Sequence, residues 1–152
     1  MRRSRSAFTL IEIMMVVSII ALLSAIATPS YMRARQKARG TRFINDLRVA
    51  SGAFEMYYSE NKGWPAERGP GQVPPEMVSY LGDFLWTAPT PIGGQWDWDK
   101  GVRGIKAGVS VRRPGASAAE MAEIDASFDD GDVTTGAFRQ IRRTLYSYIL
   151  EQ

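Results

Sequence analysis

Few side chains in this chain can do chemistry. Its 152 residues include no histidine and no cysteine. The commonest general base, the commonest transition-metal ligand and the thiolate nucleophile are therefore all missing. Carboxylates remain, in three settings. Asp125, Asp129, Asp130 and Asp132 crowd around Gly131 and offer hard oxygen donors of the kind calcium takes. Their spacing does not match an EF-hand loop, and acids with glycine at a helix end ordinarily make a turn. No metal or cofactor is expected; calcium is the candidate weighed against that reading, and chelation is expected to leave the melting temperature nearly unchanged. Asp97 and Asp99 alternate with Trp96 and Trp98, which puts both carboxylates on one strand face. That face is expected to be exposed rather than catalytic. No glycine-rich phosphate loop follows a strand, so enzymatic activity is not expected.

The third setting is Glu12. From Phe8 to Thr28 the chain reads FTLIEIMMVVSIIALLSAIAT, with Glu12 its only charge. At 1.5 Å per residue such a run spans a hydrocarbon core of about 30 Å. Met14 and Met15 then face lipid or a helix bundle. A secretory signal peptide competes with this reading, because Ala25-Ile26-Ala27 supplies an A-x-A site. Cleavage after Ala27 would release a soluble periplasmic binding module. The run is longer than an ordinary signal core of roughly 7–15 residues. A carboxylate within it also costs about 1–3 kcal/mol, less near the interface than at the centre. Such a charge calls for a partner.

Ala7-Phe8-Thr9-Leu10-Ile11-Glu12, after a short Arg/Ser leader, resembles the prepilin cleavage and methylation motif of type IV pilins and type II secretion pseudopilins. The resemblance implies cleavage between Ala7 and Phe8, where the family usually has glycine before the cut, and N-methylation of Phe8 by a membrane prepilin peptidase/methyltransferase. It also implies that Glu12 pairs with the terminal amine of a neighbouring subunit during assembly. Residues 1–7 are then a leader, 8–28 a transmembrane half-helix with a cytoplasmic N-terminus, 29–62 an amphipathic periplasmic half-helix and 63–152 a globular head.

The elements around these residues fit that organisation. Pro29 follows the apolar run and is expected to kink or loosen the helix, since it lacks an N–H and crowds the carbonyl of Ala25; the alternative is a helix that ends at Thr28. Phe43, Leu47, Ala50, Phe54 and Tyr57 form a single-face stripe that argues for resumption. Gly40 and Gly52 lower local helix propensity, and Asn61-Lys62-Gly63 before Trp64-Pro65 is a stop signal. Charge is polarised along the chain. Arg2, Arg3 and Arg5 account for the whole excess of 19 Lys and Arg over 16 Asp and Glu. Residues 33–48 carry Arg33, Arg35, Lys37, Arg39, Arg42 and Arg48 against Asp46, and the remainder is net acidic. This collar is expected to face solvent or headgroups, with an acidic patch on a neighbouring subunit as the alternative. Aromatic interleaving is weak, so nucleic acid is not an expected partner.

Residues 64–93 read as a Pro/Gly-rich connection with one helical turn near Glu76–Leu81. Trp96–Asp99 reads as a strand with both tryptophans inward, and Asp99-Lys100-Gly101 as a turn. Ile105, Ala107, Val109 and Val111 alternate with polar or small residues in a second strand closed by Pro114-Gly115. Ser117-Ala118-Ala119-Glu120 is a capping-box pattern, opening a helix that buries Met121, Ile124 and Phe128 and ends at Asp129–Asp132. A last strand, Leu145 to Leu150, places Tyr146, Tyr148 and Leu150 on one face. Gly93–Asp99, Ala107–Val111, Asp129–Asp132 and Thr135–Arg139 also resemble a subset of pseudopilin-like prepilins.

The expected fold is α+β: a long N-terminal helix packed on a small antiparallel sheet, pilin-like. The expected protein is a structural filament subunit, single-pass in the inner membrane with its head in the periplasm. Its implied partners are other pilin or pseudopilin subunits, an inner-membrane assembly platform and inner-membrane lipid. A type II secretion pseudopilus is preferred over an adhesive pilus, because the head is small and lacks a cysteine pair.

Overall fold

The computed structural model describes residues 8–152. They form helix α1 (Leu10–Asn61), a 3₁₀ turn (Pro75–Met77) continued by the short α2 (Val78–Leu81), strands β1 (Gln95–Val102) and β2 (Ile105–Arg112), helix α3 (Ala118–Asp125), and strands β3 (Phe138–Arg142) and β4 (Leu145–Glu151). The residues divide into two compact units, one up to Lys37 and one from Ala38 to Gln152.

In the first unit the apolar side chains of α1 are exposed all round, Leu10 to Ile26 among them. Two hydroxyls within it bond back to the preceding turn: Ser18 Oγ donates to Met14 O and Thr28 Oγ1 to Ser24 O, both at 2.8 Å. Both hydroxyls are thereby satisfied within the helix, as an apolar surrounding would require. Helical backbone continues through Pro29, so the helix does not end at Thr28.

In the second unit α1 presents the expected stripe. Phe43, Leu47, Ala50 and Phe54 are buried and Tyr57 is half-buried. The stripe meets the sheet through aromatic stacking: Phe43 lies 5.5 Å from Trp96 and Phe54 lies 3.9 Å from Trp98, ring centroid to centroid. Trp86 joins this cluster, 5.4 Å from Phe54, and donates its indole N–H to Gln72 O at 2.9 Å. The helix ends as the sequence signals, with Lys62 at φ 54° and its N–H bonded to Tyr58 O at 2.8 Å.

The sheet is antiparallel throughout, in the order β1-β2-β4-β3. Trp96, Trp98, Val109, Val111, Tyr146 and Phe138 fill the face toward α1. Three expectations change. The β1–β2 turn is not Asp99-Lys100-Gly101: β1 continues to Val102, which pairs with Ile105. The turn is Arg103-Gly104, both at positive φ, the handedness that matches strand twist in a two-residue hairpin. Helix α3 has the expected capping box, with Ser117 Oγ accepting from Glu120 N and Glu120 reaching back to Ser117 N. It ends at Asp125, however, and Phe128 packs from the turn beyond. Finally, β3 is a strand not anticipated from sequence, paired only with β4.

Candidate functional site

Two groups of carboxylates stand out from the fold, one at the start of α1 and one beyond α3. At the first, Thr9 precedes the helix and Glu12 lies in its first turn. Glu12 Oε2 accepts from Thr9 N at 2.7 Å and from Thr9 Oγ1 at 2.6 Å, while Glu12 N donates to Thr9 Oγ1 at 3.3 Å. This is a reciprocal capping box. The carboxylate is favoured there by the orphan N–H groups of the helix N-terminus. Phe8 is exposed. Ala7 and the arginines of the leader lie outside the described residues. Among the described residues, one helix, α1, is long and apolar enough to cross a membrane, and its apolar window is wholly unburied. Pro29 lies within it. The chain thus carries a carboxylate at the N-terminal end of a helix whose first part is apolar enough to cross a membrane, with Oε2 engaged by Thr9.

At the second group the structure brings Asp125, Asp129 and Asp130 together, with one oxygen from each within 4.8 Å of the others. Two of these acids hold the following loop. Asp129 Oδ2 accepts from Ala137 N at 2.6 Å and Phe138 N at 2.8 Å, which fixes the start of β3. Gly136, at φ 69°, lies so close to that carboxylate that a Cβ would collide with it. Asp130 accepts from Asp132 N at 2.9 Å and Thr135 Oγ1 at 2.7 Å, and these bonds lower its pKa. Asp132 is turned away to Thr134, accepting from its N–H at 2.9 Å and its hydroxyl at 2.7 Å. Asp125 differs from all three: it is fully buried, and neither carboxylate oxygen has a hydrogen-bond partner. Burial, followed by the charges of Asp129 and Asp130, pushes its carboxyl up to about 6. The acidic run is therefore a loop clasp with one orphaned acid behind it.

Asp97 and Asp99 overturn the expectation of an exposed face, since both are buried on the far side of the sheet from α1. Asp99 accepts from Ser110 Oγ at 2.5 Å and pairs with Arg103. Asp97 has Arg112 at 3.9 Å from Oδ2, and its Oδ1 has no partner. Burial first, then the charges of Asp99 and Glu67, raise Asp97 to about 7. The arginines and serine that pair with these acids come from the hairpin turn and the neighbouring strand, so alternation along β1 gave no sign of them. The Thr9–Glu12 cap, by contrast, is an S/T-x-x-E pattern readable directly from the sequence.

Comparisons with known proteins point the same way. Residues 2–28 match the family model for the prokaryotic N-terminal methylation motif. The chain is 38% identical to type II secretion system core protein G of Pseudomonas aeruginosa over 65 residues, 43% of this chain and 46% of that protein. It is 33% identical to the core protein G of Klebsiella michiganensis over 104 residues, 62% of this chain and 73% of the relative. It is also 29% identical to the type IV wide pilus major component PilA4 of Thermus thermophilus over 133 residues, 74% of this chain and 96% of that protein. The match thus spans less than half the length of the Pseudomonas relative and nearly all of the Thermus one. No solved structure matches the chain.

Proposed function

The chain belongs to the family of type IV pilins and type II secretion pseudopilins, and from that premise we propose that it is a structural, non-enzymatic filament subunit made as a prepilin. In this reading a prepilin peptidase/methyltransferase cuts between Ala7 and Phe8 and methylates the new Phe8 amine. Residues 8–28 hold the subunit in the inner membrane, with the head in the periplasm. An assembly platform then moves it into a filament of pilin or pseudopilin subunits. The observation that carries this is Glu12, the one charged residue in the apolar run 8–28, held at the start of α1. Its Oε2 is anchored by Thr9, so the other oxygen can receive a neighbour's Phe8 ammonium, where low dielectric strengthens the pair. The type II secretion relatives and the small cysteine-free head support a pseudopilus over an adhesive pilus. Release of a soluble module after Ala27 is not favoured: helical backbone runs unbroken through Ala25–Ala27, and the relatives are filament or secretion components by name. The test is the yield of sheared filaments from cells whose only copy is Glu12→Ala. Loss of filaments with normal membrane insertion is expected; normal yield would remove the pairing mechanism.

The orphaned Asp125 carboxylate favours a second feature of the head. A divalent cation, calcium by its oxygen-only donors, would be held by Asp125, Asp129 and Asp130 and would compensate the buried charge that otherwise has no partner. Melting of the full chain in detergent, with calcium and with excess chelator, tests this reading. A higher melting temperature with calcium is expected, and coincident melts would reject the site.

A further inference from the structure

One end of the sheet gathers arginines that the second unit does not use in its own packing. Along α1, Phe43 stacks on Trp96, and Phe54, about three turns later, stacks on Trp98. The strand ends at Gln95, Arg112 and Leu145 therefore lie at the end of the unit where α1 enters it, at Ala38. Two turns meet there. Arg113 follows β2, Arg143 and Thr144 join β3 to β4, and Arg113 N donates to Thr144 O at 2.7 Å, which ties the turns together. Arg113, Arg142 and Arg143 are all exposed, and among the described residues none of the three makes an ion pair. Nearby arginines are engaged: Arg112 lies 3.9 Å from Asp97, and Arg39 bonds Glu120 at 3.1 Å. Arg113 also holds φ 53°, a left-handed conformation that glycine or asparagine adopts at lower cost. Arg103, also at positive φ, pairs with Asp99; Arg113 has no such partner.

We propose that this arginine cluster docks the head onto the anionic headgroups of the membrane that anchors the chain. The inference rests on the reading that residues 8–28 lie in the membrane, and it adds a second, electrostatic contact to that anchor. Three like charges held on two tied turns repel one another, and an anionic surface relieves that repulsion. The tether makes the membrane the nearest such surface. Thr28 ends the apolar run and Ala38 begins the second unit, a separation of about 35 Å at most, even fully extended. Arg33 and Arg35 in that link carry the same sign. So short a link presents the cluster to the bilayer at high effective concentration. Each arginine brought to an anionic surface strengthens docking about fivefold. Extraction of the subunit into a filament must then break these contacts, so membrane charge tunes how readily a subunit leaves.

The chain has no cysteine, so a spin label on Thr144→Cys, in the exposed turn beside the arginines, reports alone. Full-length chain is reconstituted in phosphatidylcholine vesicles with or without phosphatidylglycerol, and collision of the label with a neutral nickel chelate in water is measured. Phosphatidylglycerol is expected to cut the collision rate about threefold or more. Salt near 1 M, where the Debye length is about 3 Å, is expected to restore it. A label on Ser59→Cys, exposed near the far end of α1, is expected to collide equally in both vesicles. Arg113→Gln, Arg142→Gln and Arg143→Gln together are expected to abolish the protection at Thr144→Cys with the melting temperature in detergent unchanged. Arg113→Lys, Arg142→Lys and Arg143→Lys together are expected to keep it. Equal collision at Thr144→Cys in both vesicles, by a chain that floats with them, would overturn the docking and leave the membrane reading standing. Protection that appears in neutral vesicles and grows with protein density would assign the arginines to an acidic face of a neighbouring copy, and would overturn the docking too. A chain that does not float with the vesicles would overturn both.

Discussion

A single carboxylate oxygen of Glu12 accepts both the backbone N–H of Thr9 at 2.7 Å and its hydroxyl at 2.6 Å. The relationship assigns Glu12 two tasks, capping its own helix and, in the proposed filament, meeting a neighbour's amine. The two separate by mutation. Thr9→Ala removes the two cap bonds made by the hydroxyl, a loss of about 1 kcal/mol for an N-cap side chain, and leaves the carboxylate and its bond from Thr9 N in place, so filament yield is expected to fall partly. Glu12→Ala removes both and is expected to abolish filaments, while Glu12→Gln, which keeps the acceptor but not the charge, is expected to resemble Glu12→Ala. Sheared filament fractions from the three strains rank them. Equal yields from Glu12→Gln and the unaltered chain would reduce Glu12 to a cap.

Stability is expected to decline as pH rises through the range in which most proteins gain it. Asp97 and Asp125 have carboxyls raised to about 7 and about 6, above the ordinary value of about 4. Between about pH 4 and 7 the folded protein therefore holds more protons than the unfolded chain, and its stability falls with rising pH. Melting of the full chain in detergent with chelator, at steps from pH 4.5 to 8, is expected to show a downward trend of about 5 °C or more. Asp97→Asn and Asp125→Asn are each expected to flatten it. A melting temperature that rises across this window would contradict the assignment.

Calcium and the Asp129 clasp are separable in the same assay. Asp125→Asn removes the orphaned charge and is expected to raise stability in chelator while abolishing any gain from calcium. Asp129→Ala strands the N–H groups of Ala137 and Phe138 and is expected to cost about 2–4 kcal/mol even in chelator, a loss Asp125→Asn does not share, and to remove the gain from calcium as well. Stabilisation by calcium that survives Asp125→Asn would place the ion elsewhere. Because the ion binds ionised carboxylates, its effect is expected to grow above about pH 6, where Asp125 gives up its proton.

Phe54→Ala is expected to destabilise the second unit by about 3–5 kcal/mol, the range for emptying an aromatic site in a core. Phe54 is fully buried between Trp86 and Trp98, 3.9 Å from the latter. Tryptophan fluorescence during thermal melting reads both the loss of stability and the loss of stacking. A melt within 1 °C of the unaltered chain would show that the stem does not anchor on the sheet there.

The stem stripe was legible because a helix repeats its contacts every 3.6 residues, so Phe43, Leu47, Ala50 and Phe54 announce a face without knowledge of what covers it. Asp97 and Asp99 show the limit of that logic. Alternation along β1 puts them opposite the tryptophans, but their partners, Arg103 in the hairpin turn and Ser110 and Arg112 on β2, are brought beside them by strand pairing, which alternation along one strand does not report. Strand β3 was hidden for a related reason: Phe138-Arg139-Gln140-Ile141-Arg142 is short and charged, as edge strands often are, and acquires its identity only by pairing with β4. At the hairpin a local signal misled. Lys100-Gly101 has the composition of a turn, yet the chain turns at Arg103-Gly104, where Arg103 adopts φ 55° without the Asn or Asp that usually marks such a site. Among the acids, sequence marked Asp125 as a candidate but not its burial, which tertiary packing alone decides.

The leader junction supplies the last test. Ala7 precedes Phe8 in place of the glycine usual in the family, and the cut proposed there converts an uncharged peptide N–H at Phe8 into an ammonium. That conversion gives Glu12 a partner of opposite charge, one that an uncut chain lacks at this position. Mass spectrometry of the N-terminus from membrane fractions is therefore expected to find methylated Phe8. Ala7→Gly is expected to keep or raise the processed fraction, and a bulky residue, as in Ala7→Trp, to block it and to stop filaments even with Glu12 intact. An unprocessed Met1 terminus in cells with an active prepilin peptidase would refute the cleavage. Filaments built from Ala7→Trp chains would show that assembly does not need the Phe8 amine, and the Glu12 pairing would fail with it.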